Sequence, residues 1–397
     1  MRTEFLYTPQ LAEYRFGSGH PLRPERFVLT RDLAAAWGLL ADADRAEQAG
    51  VATVVAPEPC DDEDLLRAHD ADYVAAVRTA GADPANWHGG FGIGAGDTPP
   101  FSRMHEAAAL VAGATARALD DVASGRCRRA FSPAGGLHHA HRDHASGFCV
   151  YNDIAVAVCK ATSEYPGLRV AYLDFDAHHG DGVQEAFYAR DDVLTVSIHE
   201  SGRYLFPGTG RTIETGSGRG VGFSVNVPLP PGAGDSCYEL AFERVVSRAV
   251  TAFGPDLIVA QLGADSHRDD PLAHLVTTVA GQYATARRVV GLAAETCGGR
   301  VVAPGGGGYD PFSAVPRAWA CALAALLGVE PPATLPESWR SAAAATALAA
   351  GADQVTIPWG TFDETPARVV GQDSEALAAS RRVIEQLLST HPLLRPA

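Results

Sequence analysis

The densest group of reactive side chains lies at residues 174–181, where the sequence reads DFDAHHGD. Five of these eight residues are Asp or His. Buried carboxylates at this density repel one another, and buried charges in proteins are paired or coordinate metals. The alternative is a set of turn and helix-capping residues before the segment GVQEAFYA at 182–189. The density of Asp and His favours a metal site.

A divalent ion would suit this group. Because side chains alternate along a strand, Asp174, Asp176 and His178 project to one side if the extended geometry persists. Asp265, at the end of another apolar segment, supplies a further carboxylate. Two carboxylates and an imidazole suit an ion such as Zn²⁺, and three protein ligands leave a position open for water and substrate.

Two further motifs could act on a substrate beside the ion. The motif GGLHHAH at 135–141 contains a tandem His pair that can supply a general base and an electrostatic partner, although such a pair alone is more often a surface feature. The motif PGGGGYD at 304–310 lacks the GxGxxG and Walker patterns of phosphate-binding loops. Its glycines allow close backbone approach, and Tyr309 can direct its hydroxyl at a developing oxyanion.

Apolar, β-branched segments predict the strands that must position these motifs. These strands are residues 51–56, 169–176, 193–200, 256–265 and 300–308. Helical periodicity occupies segments between them, at 31–48, 102–124, 235–253, 275–297 and 312–327. The alternation predicts an α/β fold with a mainly parallel central sheet covered by helices on both faces. Ligands of such sheets bind outside the carboxyl ends of the strands, which is where the motifs fall.

The alternation continues from about residue 50 to residue 327 without a linker or a repeat. We therefore predict one catalytic domain at 1–330. The segment 331–397 begins with PPATLPESW, includes an Ala-rich stretch and ends with a predicted helix at 373–389. We expect this extension to pack on the domain.

Composition restricts the class of partner. The net charge is −15, from 47 acidic and 32 basic residues, which argues against nucleic acid because phosphate binding needs clustered Lys and Arg. The charge favours cationic substrates, or else only aids solubility. The sequence has no secretory signal and no apolar stretch that predicts a membrane span. Its seven cysteines show no C-x-x-C spacing, which indicates reduced thiols and a cytoplasmic location.

Taken together, the motifs resemble the zinc-dependent histone deacetylase family of the arginase/deacetylase superfamily, and more closely its bacterial acetoin-utilisation (AcuC-like) branch. The resemblance extends over about residues 5–325 and keeps the order and spacing of the family. Its motifs are HPLRPERF at 20–27, GDTPPF at 96–101, GGLHHAHRDHASGFCVYND at 135–153, LDFDAHHGDG at 173–182, FPGTG at 206–210, QLGADSHRDDPL at 261–272 and GGGGYD at 305–310.

The resemblance implies an amidohydrolase that removes acetyl groups from lysine side chains of proteins or peptides by metal-activated water. It implies His139 as general base, oriented by Asp181, and His138 as an electrostatic partner, oriented by Asp174. It implies that Tyr309 stabilises the oxyanion.

The resemblance also implies the positions of the ions. The ligands of the catalytic metal, Zn²⁺ or Fe²⁺ in cells, would be Asp176, His178 and Asp265. A K⁺ ion beside it would be bound by the group Asp174, Asp176, His178, Ser197 and Ile198.

Further residues match the family's substrate tunnel and product channel. Gly147, Phe148 and Phe206 match the tunnel walls, against an alternative of core packing for the two Phe residues. Asp97 matches a rim aspartate that binds the substrate backbone, against an alternative role in a turn. Arg26 matches an arginine near an internal acetate-release channel, against an alternative of a surface charge.

Three residues depart from the family pattern. Leu137 stands where eukaryotic members often have Trp, His144 where Glu is common, and His267 where a smaller or apolar residue is usual. None of these changes removes a catalytic group, but His267 could alter metal preference or pocket polarity.

Three other functions compete with lysine deacetylation. An acetylpolyamine deacetylase would have an acidic gatekeeper near Leu272. An arginase-type ureohydrolase would need a second Asp-x-Asp pair for a dinuclear manganese site, whereas this motif reads Asp265-Ser266-His267. A non-catalytic acyl-lysine-binding module should have lost a catalytic residue, and none is missing.

Overall fold

A single sheet of parallel strands forms the centre of the computed structural model, which describes residues 2–42, 45–46, 49–94, 96–352, 355–362 and 369–395. Its strands are β1 (Thr3–Leu6), β2 (Leu40–Ala41), β3 (Ala52–Val55), β4 (Arg129–Ser132), β5 (Val170–Asp174), β6 (Val193–Glu200), β7 (Ser224–Leu229), β8 (Leu257–Gln261) and β9 (Val301–Pro304). Their order across the sheet is β2-β3-β1-β4-β9-β8-β5-β6-β7. Every described pair of neighbouring strands is parallel.

Helices cover both faces of this sheet, as predicted. Their bounds are Glu25–Ala36, Asp62–Leu65, Ala71–Ala82, Met104–Ala123, Asp153–Glu164, Asp181–Phe187, Asp235–Ala241, Ser247–Phe253, Val279–Thr296, Ala314–Leu327, Glu337–Ala349 and Val369–Thr390. A π-helical turn at Phe242–Val246 joins two of them. In the described part of the chain, no helix combines the length and the apolar character needed to cross a membrane. None of the seven cysteines, all of which lie among the described residues, forms a disulfide.

The central strands explain why the polar motifs meet. β5 and β8 read VAYLD and LIVAQ, and every residue in them is buried. Such runs suit a parallel strand that is covered on both faces. Both strands carry their polar residue at the last position, and the register places Asp174 opposite Ser197 on one side and Gln261 on the other. The carboxyl edge of the sheet therefore collects polar groups over a dry core.

Most of the predicted elements are confirmed, and one helix is wrong. The structure has strands and helices at the other predicted positions, within a few residues at each end. The helix predicted at 31–48 runs instead over Glu25–Ala36, because the chain takes a left-handed conformation at Gly38 and enters β2. Residues 43, 44, 47 and 48 of that prediction lie outside the described residues. Sequence patterns also missed β1, β2, β4 and β7. Pro228 is tolerated in β7 because this strand lies at the sheet edge.

The C-terminal segment packs on the rest of the chain at two places. Trp339, in the helix Glu337–Ala349, donates its indole N–H to the carbonyl of Leu29 at 2.9 Å. The helix Val369–Thr390 contacts β7 and the helix Asp235–Ala241, and it contains the helix predicted at 373–389. The division into a catalytic domain at 1–330 and an extension at 331–397 stays a prediction.

Candidate functional site

Two carboxylates and one imidazole converge at the carboxyl edge of the sheet. Asp176 and His178 lie in the bend directly after β5, and Asp265 lies four residues beyond the end of β8. One ligand atom from each of these buried residues lies within 4.8 Å of the others. Nδ1 of His178 is 2.9 Å from Oδ2 of Asp265 and 3.2 Å from Oδ1 of Asp176. These three residues form the only such group in the described residues.

Backbone and amide donors hold the two carboxylates in place. Oδ2 of Asp176 accepts hydrogen bonds from the side chain of Gln261 at 2.7 Å and from the backbone N–H of Gly307 at 2.6 Å. Oδ1 of Asp265 accepts from the backbone N–H of Ala177 at 2.8 Å. A Cβ at position 307 would lie 2.1 Å from Oδ2 of Asp265, so only glycine allows this loop to approach.

The electrostatics of this group fit a cation. Burial, followed by the neighbouring Asp176, raises the pKa of Asp265 to about 7. Burial alone would lower the pKa of His178, but the two carboxylates outweigh burial and raise it to about 10. The group is thus stabilised by a positive charge, which an imidazolium or a divalent ion could provide. Two carboxylate oxygens and an imidazole nitrogen are a donor set that suits Zn²⁺.

The tandem histidines form a hydrogen-bonded chain that ends at a carboxylate on each side. Nδ1 of His138 is 2.9 Å from Oδ2 of Asp174, and Nδ1 of His139 is 2.7 Å from Oδ1 of Asp181. The two Nε2 atoms face each other at 3.0 Å. Because each Nδ1 must donate to a carboxylate, one Nε2 donates to the other, so the pair shares three protons. Asp174 belongs to this hydrogen-bonded chain and not to the group formed by Asp176, His178 and Asp265.

The pKa shifts assign the extra proton to His138. Burial lowers the pKa of His138, but Asp174 and Asp176 outweigh it and raise the pKa to about 9. Burial and the charge of His138 lower the pKa of His139 to about 4, although Asp181 opposes them. His139 is therefore neutral beside a cationic partner.

Two residues that sequence reasoning did not select hold the histidine loop. Asp153 accepts hydrogen bonds from the backbone N–H groups of Gly136 at 3.0 Å and Leu137 at 2.7 Å. Asn152 caps the helix Asp153–Glu164 and donates from its side chain to the carbonyls of residues 138 and 140. Both belong to the motif at 135–153, but their type alone gave no reason to choose them.

Aromatic rings line the approach to this site. The ring of Phe206 lies 5.0 Å from that of His139, and the ring of Phe148 lies 5.6 Å from that of Tyr309. Phe206 is 45% exposed, so it lies at the surface and not in the core. Gly147 takes a left-handed conformation, and a Cβ there would lie 2.4 Å from Cδ2 of His139. The structure thus places Gly147 and Phe206 against His139, and Phe148 against Tyr309.

Asp270, which sequence reasoning also missed, anchors the segment around Tyr309. Its carboxylate accepts the backbone N–H of Tyr309 at 2.7 Å and that of Leu272 at 2.9 Å. Burial, followed by the charges of Asp265 and Asp176, raises the pKa of Tyr309 well above its usual range. The Tyr309 hydroxyl therefore stays protonated and can act as a hydrogen-bond donor.

Asp97 and Arg26 have structural contacts that the sequence did not reveal. Oδ2 of Asp97 accepts from the backbone N–H of Gly147 at 2.9 Å, so this exposed residue supports the tunnel wall. Arg26 is buried, which rules out a surface charge, and Nη1 donates to the carbonyls of Gly306 at 2.8 Å and Gly308 at 3.2 Å. Its buried Nε has no hydrogen-bond partner in the described residues.

Of the residues predicted for a monovalent cation, Asp174 ends β5, Asp176 and His178 lie in the bend after it, and Ser197 and Ile198 lie on β6. Nε2 of His199 faces the carbonyl of Gly210 at 3.0 Å, so this nitrogen carries the proton and Nδ1 is an acceptor. Ser197 donates to that Nδ1 at 2.8 Å, which leaves the lone pairs of its hydroxyl free. Ile198, which lies between Ser197 and His199 in the sequence, is also buried.

The three departures from the family pattern lie outside the metal group. Leu137 is buried, His144 is paired with Asp143 at 2.6 Å near the surface, and His267 is buried with Nδ1 accepting from the backbone of Asp269 at 3.2 Å.

Known proteins are similar to this chain over most of its length. Residues 20–326 match the histone deacetylase domain. The acetoin utilization protein AcuC of Bacillus subtilis (strain 168) is 44% identical over 337 residues, which cover 84% of each chain. AcuC of Staphylococcus xylosus is 37% identical over 340 residues, covering 85% of this chain and 86% of that protein.

Solved structures show the same fold. A crystal structure of an HDAC homolog from Aquifex aeolicus matches with a TM-score of 0.78 and 29% identity over 95% of this chain and all of that chain. The structure of an HDAC homolog complexed with SAHA matches with a TM-score of 0.79 at the same identity and coverage. The chain therefore belongs to the histone deacetylase family, next to its AcuC members, and its class of activity is that of a deacetylase.

Proposed function

We propose that this chain is a metal-dependent deacetylase that acts on acetylated lysine side chains of proteins or peptides. One observation carries the proposal. A buried group of two carboxylates and an imidazole lies beside a neutral histidine and a protonated tyrosine, below an entrance lined by two phenylalanine rings. Such a site holds the components of metal-assisted hydrolysis.

Asp176, His178 and Asp265 would hold the metal, with Zn²⁺ as the first choice and Fe²⁺ as the alternative in cells. When bound, the ion would supply Lewis-acid activation of the amide carbonyl and of a water molecule. The described residues contain one such group, which supports a single ion over the dinuclear site of an arginase-type enzyme.

The surrounding side chains have distinct tasks in this proposal. The Nδ1–H of His139 is fixed by Asp181, so the lone pair of this ring is on Nε2. In the proposed reaction this lone pair exchanges its contact with Nε2–H of His138 for the attacking water, takes the proton of that water and later returns it to the leaving amine. His138, fixed by Asp174, acts as the electrostatic partner. The hydroxyl of Tyr309 donates to the oxyanion.

The apolar entrance supports a lysine substrate. Gly147, Phe148 and Phe206 would enclose the aliphatic lysine stem, because apolar walls with few polar groups are the norm for ligand pockets. Asp97 would accept from the substrate backbone. Leu272 cannot pair with the distal ammonium of an acetylated polyamine, which disfavours that alternative substrate.

Two further assignments from the sequence stay proposals. Asp174 and Ser197 face each other across the strand register, which supports a K⁺ site at this position together with Ile198. The unpartnered Nε of the buried Arg26 supports a role in receiving acetate. Cytoplasmic location and a contribution to acetoin utilisation also stay predictions.

The test uses metal-stripped protein that is reconstituted with defined ions and assayed on an acyl-lysine peptide panel, N-acetylputrescine and N8-acetylspermidine. We expect activity with Zn²⁺ or Fe²⁺ and a higher kcat/KM for the acetyl-lysine peptide, since this ratio measures differential transition-state binding. A higher kcat/KM for a polyamine would exclude the lysine assignment. Arginine turnover with about two manganese ions per chain would exclude the deacetylase assignment.

A further inference from the structure

His141 has no task in the reaction above, yet it lies directly behind the proposed general base. Its Nε2 is 3.4 Å from Oδ2 of Asp181, and its Nδ1 contacts Oε2 of Glu185. Oδ1 of the same Asp181 accepts from Nδ1 of His139 at 2.7 Å. The three side chains of His139, Asp181 and His141 thus form a continuous chain that ends at Glu185, which is 59% exposed.

The two carboxylates around His141 favour its doubly protonated form, through a hydrogen bond to Glu185 and an ion-pair contact of 3.4 Å to Asp181. A neutral imidazole has one N–H and one lone pair, so it would direct a lone pair at a carboxylate oxygen. Only the imidazolium donates to both neighbours. The contact with Asp181, opposed by burial and aided by Glu185, raises the pKa of His141 to about 9, in agreement with this geometry.

The position of His141 does not depend on its side chain. Its carbonyl accepts from Nδ1 of His69 at 3.0 Å, and its backbone N–H donates to the carbonyl of His144 at 2.9 Å. The rings of His141 and His144 stack at 4.4 Å with 9° between their planes. Substitution of the His141 side chain therefore leaves the backbone contacts of the loop in place.

Other charges near His141 are neutralised by their own partners. His141 and Glu185 line a cavity of about 160 Å³ together with Arg67 and Arg142. Arg67 pairs with Glu63 and Asp64, and Arg142 pairs with Asp70. Of His141, Arg67 and Arg142, His141 is the one whose side chain contacts Oδ2 of Asp181.

We propose that His141 is a positioning residue for the general base. By engaging Oδ2 of Asp181, it prevents rotation of this carboxylate and keeps Oδ1 against Nδ1 of His139. Oδ1 of Asp181 also accepts from the backbone N–H of Gly182 at 3.0 Å, so this oxygen is held by two donors. The contact with His141 holds the second oxygen, and without it the carboxylate is restrained at Oδ1 alone. The effect of His141 on catalysis rests on the proposed function of His139 as general base. The contact between His141 and Asp181 does not depend on that function.

The test combines kinetics with the NMR signals of the histidine N–H protons. In His141→Ala, kcat should fall about 10-fold with KM unchanged, the usual effect of losing a group that orients a catalytic residue. His141→Lys, whose ammonium can donate to both carboxylates, should restore kcat. His144→Ala is the matched control, because it removes the stacking ring and leaves both carboxylate contacts, and it should keep wild-type kcat.

The NMR readout does not depend on activity. The Nδ1–H of His139, identified through its loss in His139→Gln, should shift or broaden in His141→Ala because Asp181 no longer holds one orientation. The Nδ1–H of His138, bonded to Asp174, is the internal reference and should stay in place.

Each outcome decides one of the two proposals. If the His139 signal is unchanged in His141→Ala, or if it moves while kcat stays at the wild-type value, the positioning role of His141 is excluded. If the wild-type protein hydrolyses no acetylated amine with any ion, the proposed function fails. The NMR result then still decides whether His141 fixes Asp181.

Discussion

His69 offers a direct way to perturb the support of the catalytic loop by pH. This buried residue accepts the backbone N–H of Asn152 at Nε2 and faces the carbonyl of His141 with Nδ1, both at 3.0 Å. The neutral ring satisfies both contacts, whereas the imidazolium would direct an N–H at the donor of Asn152. Burial, partly opposed by backbone contacts with His141 and Arg142, lowers the pKa of His69 to about 4.

The loss of stability at low pH follows from the difference between the pKa of His69 in the folded chain and its pKa in the unfolded chain. The ordinary pKa of His69 is 6.5, so the unfolded chain binds a proton at higher pH than the folded chain. Well above pH 6.5, His69 is neutral in both the folded and the unfolded chain, so it does not change the stability. As the pH falls from about 6.5 toward 4, the unfolded chain binds the proton first and the folded state loses stability. At 1.36 kcal/mol per pH unit, about 2 kcal/mol is lost at pH 5 and about 3 kcal/mol below pH 4.

This loss of stability can be measured by urea unfolding at pH 7 and pH 5. The two proteins compared are the wild type and His69→Gln. Other buried histidines contribute equally to both proteins, so the difference between the two free energies of unfolding isolates His69. We expect the free energy of unfolding of the wild-type protein, relative to that of His69→Gln, to fall by about 2 kcal/mol from pH 7 to pH 5. A difference that is the same at both pH values would refute the assignment of a neutral, doubly bonded His69.

Three further substitutions test the site. Tyr309→Phe should keep the fold and metal but lower kcat by roughly 10²- to 10³-fold, as for one oxyanion donor, and unchanged steady-state kinetics would exclude this role. Asp153→Ala leaves the backbone N–H groups of Gly136 and Leu137 without their acceptor, so it should cost about 1–3 kcal/mol in thermal denaturation. An unaltered Tm would contradict that support. Leu272→Glu should raise the kcat/KM of N8-acetylspermidine relative to an acetyl-lysine peptide, and an unchanged ratio would show that position 272 does not select the substrate.

The sequence predicted the sheet and the edge at which the site forms because the central strands are buried on both faces. Their continuous apolar runs end at Asp174 and Gln261, so polar residues mark the carboxyl ends. The alternation through His178 was expected only if the extended geometry persisted, and that condition is not met. β5 ends at Asp174 and the chain then bends, so Asp174 contacts His138 while Asp176 and His178 turn toward Asp265.

Sequence reasoning missed the residues that act through the backbone of other segments. Asp153, Gln261 and Asp270 hold loops by accepting from or donating to groups that are distant along the chain. Residue type and spacing do not reveal such contacts, because they depend on how separate strand ends meet. The role of His141 was hidden for the same reason, since Asp181 lies 40 positions further along the sequence.

Equilibrium Zn²⁺ binding, measured together with hydrolysis of an acetyl-lysine peptide, tests the central claim most directly. The wild-type protein should bind a single Zn²⁺ tightly and show zinc-dependent activity, and Asp265→Ala should lose both because one of three ligands is removed. Asp181→Ala is the control, a nearby carboxylate outside the metal group, and it should retain the ion while losing most activity. Wild-type zinc affinity in Asp265→Ala would contradict the proposed metal site.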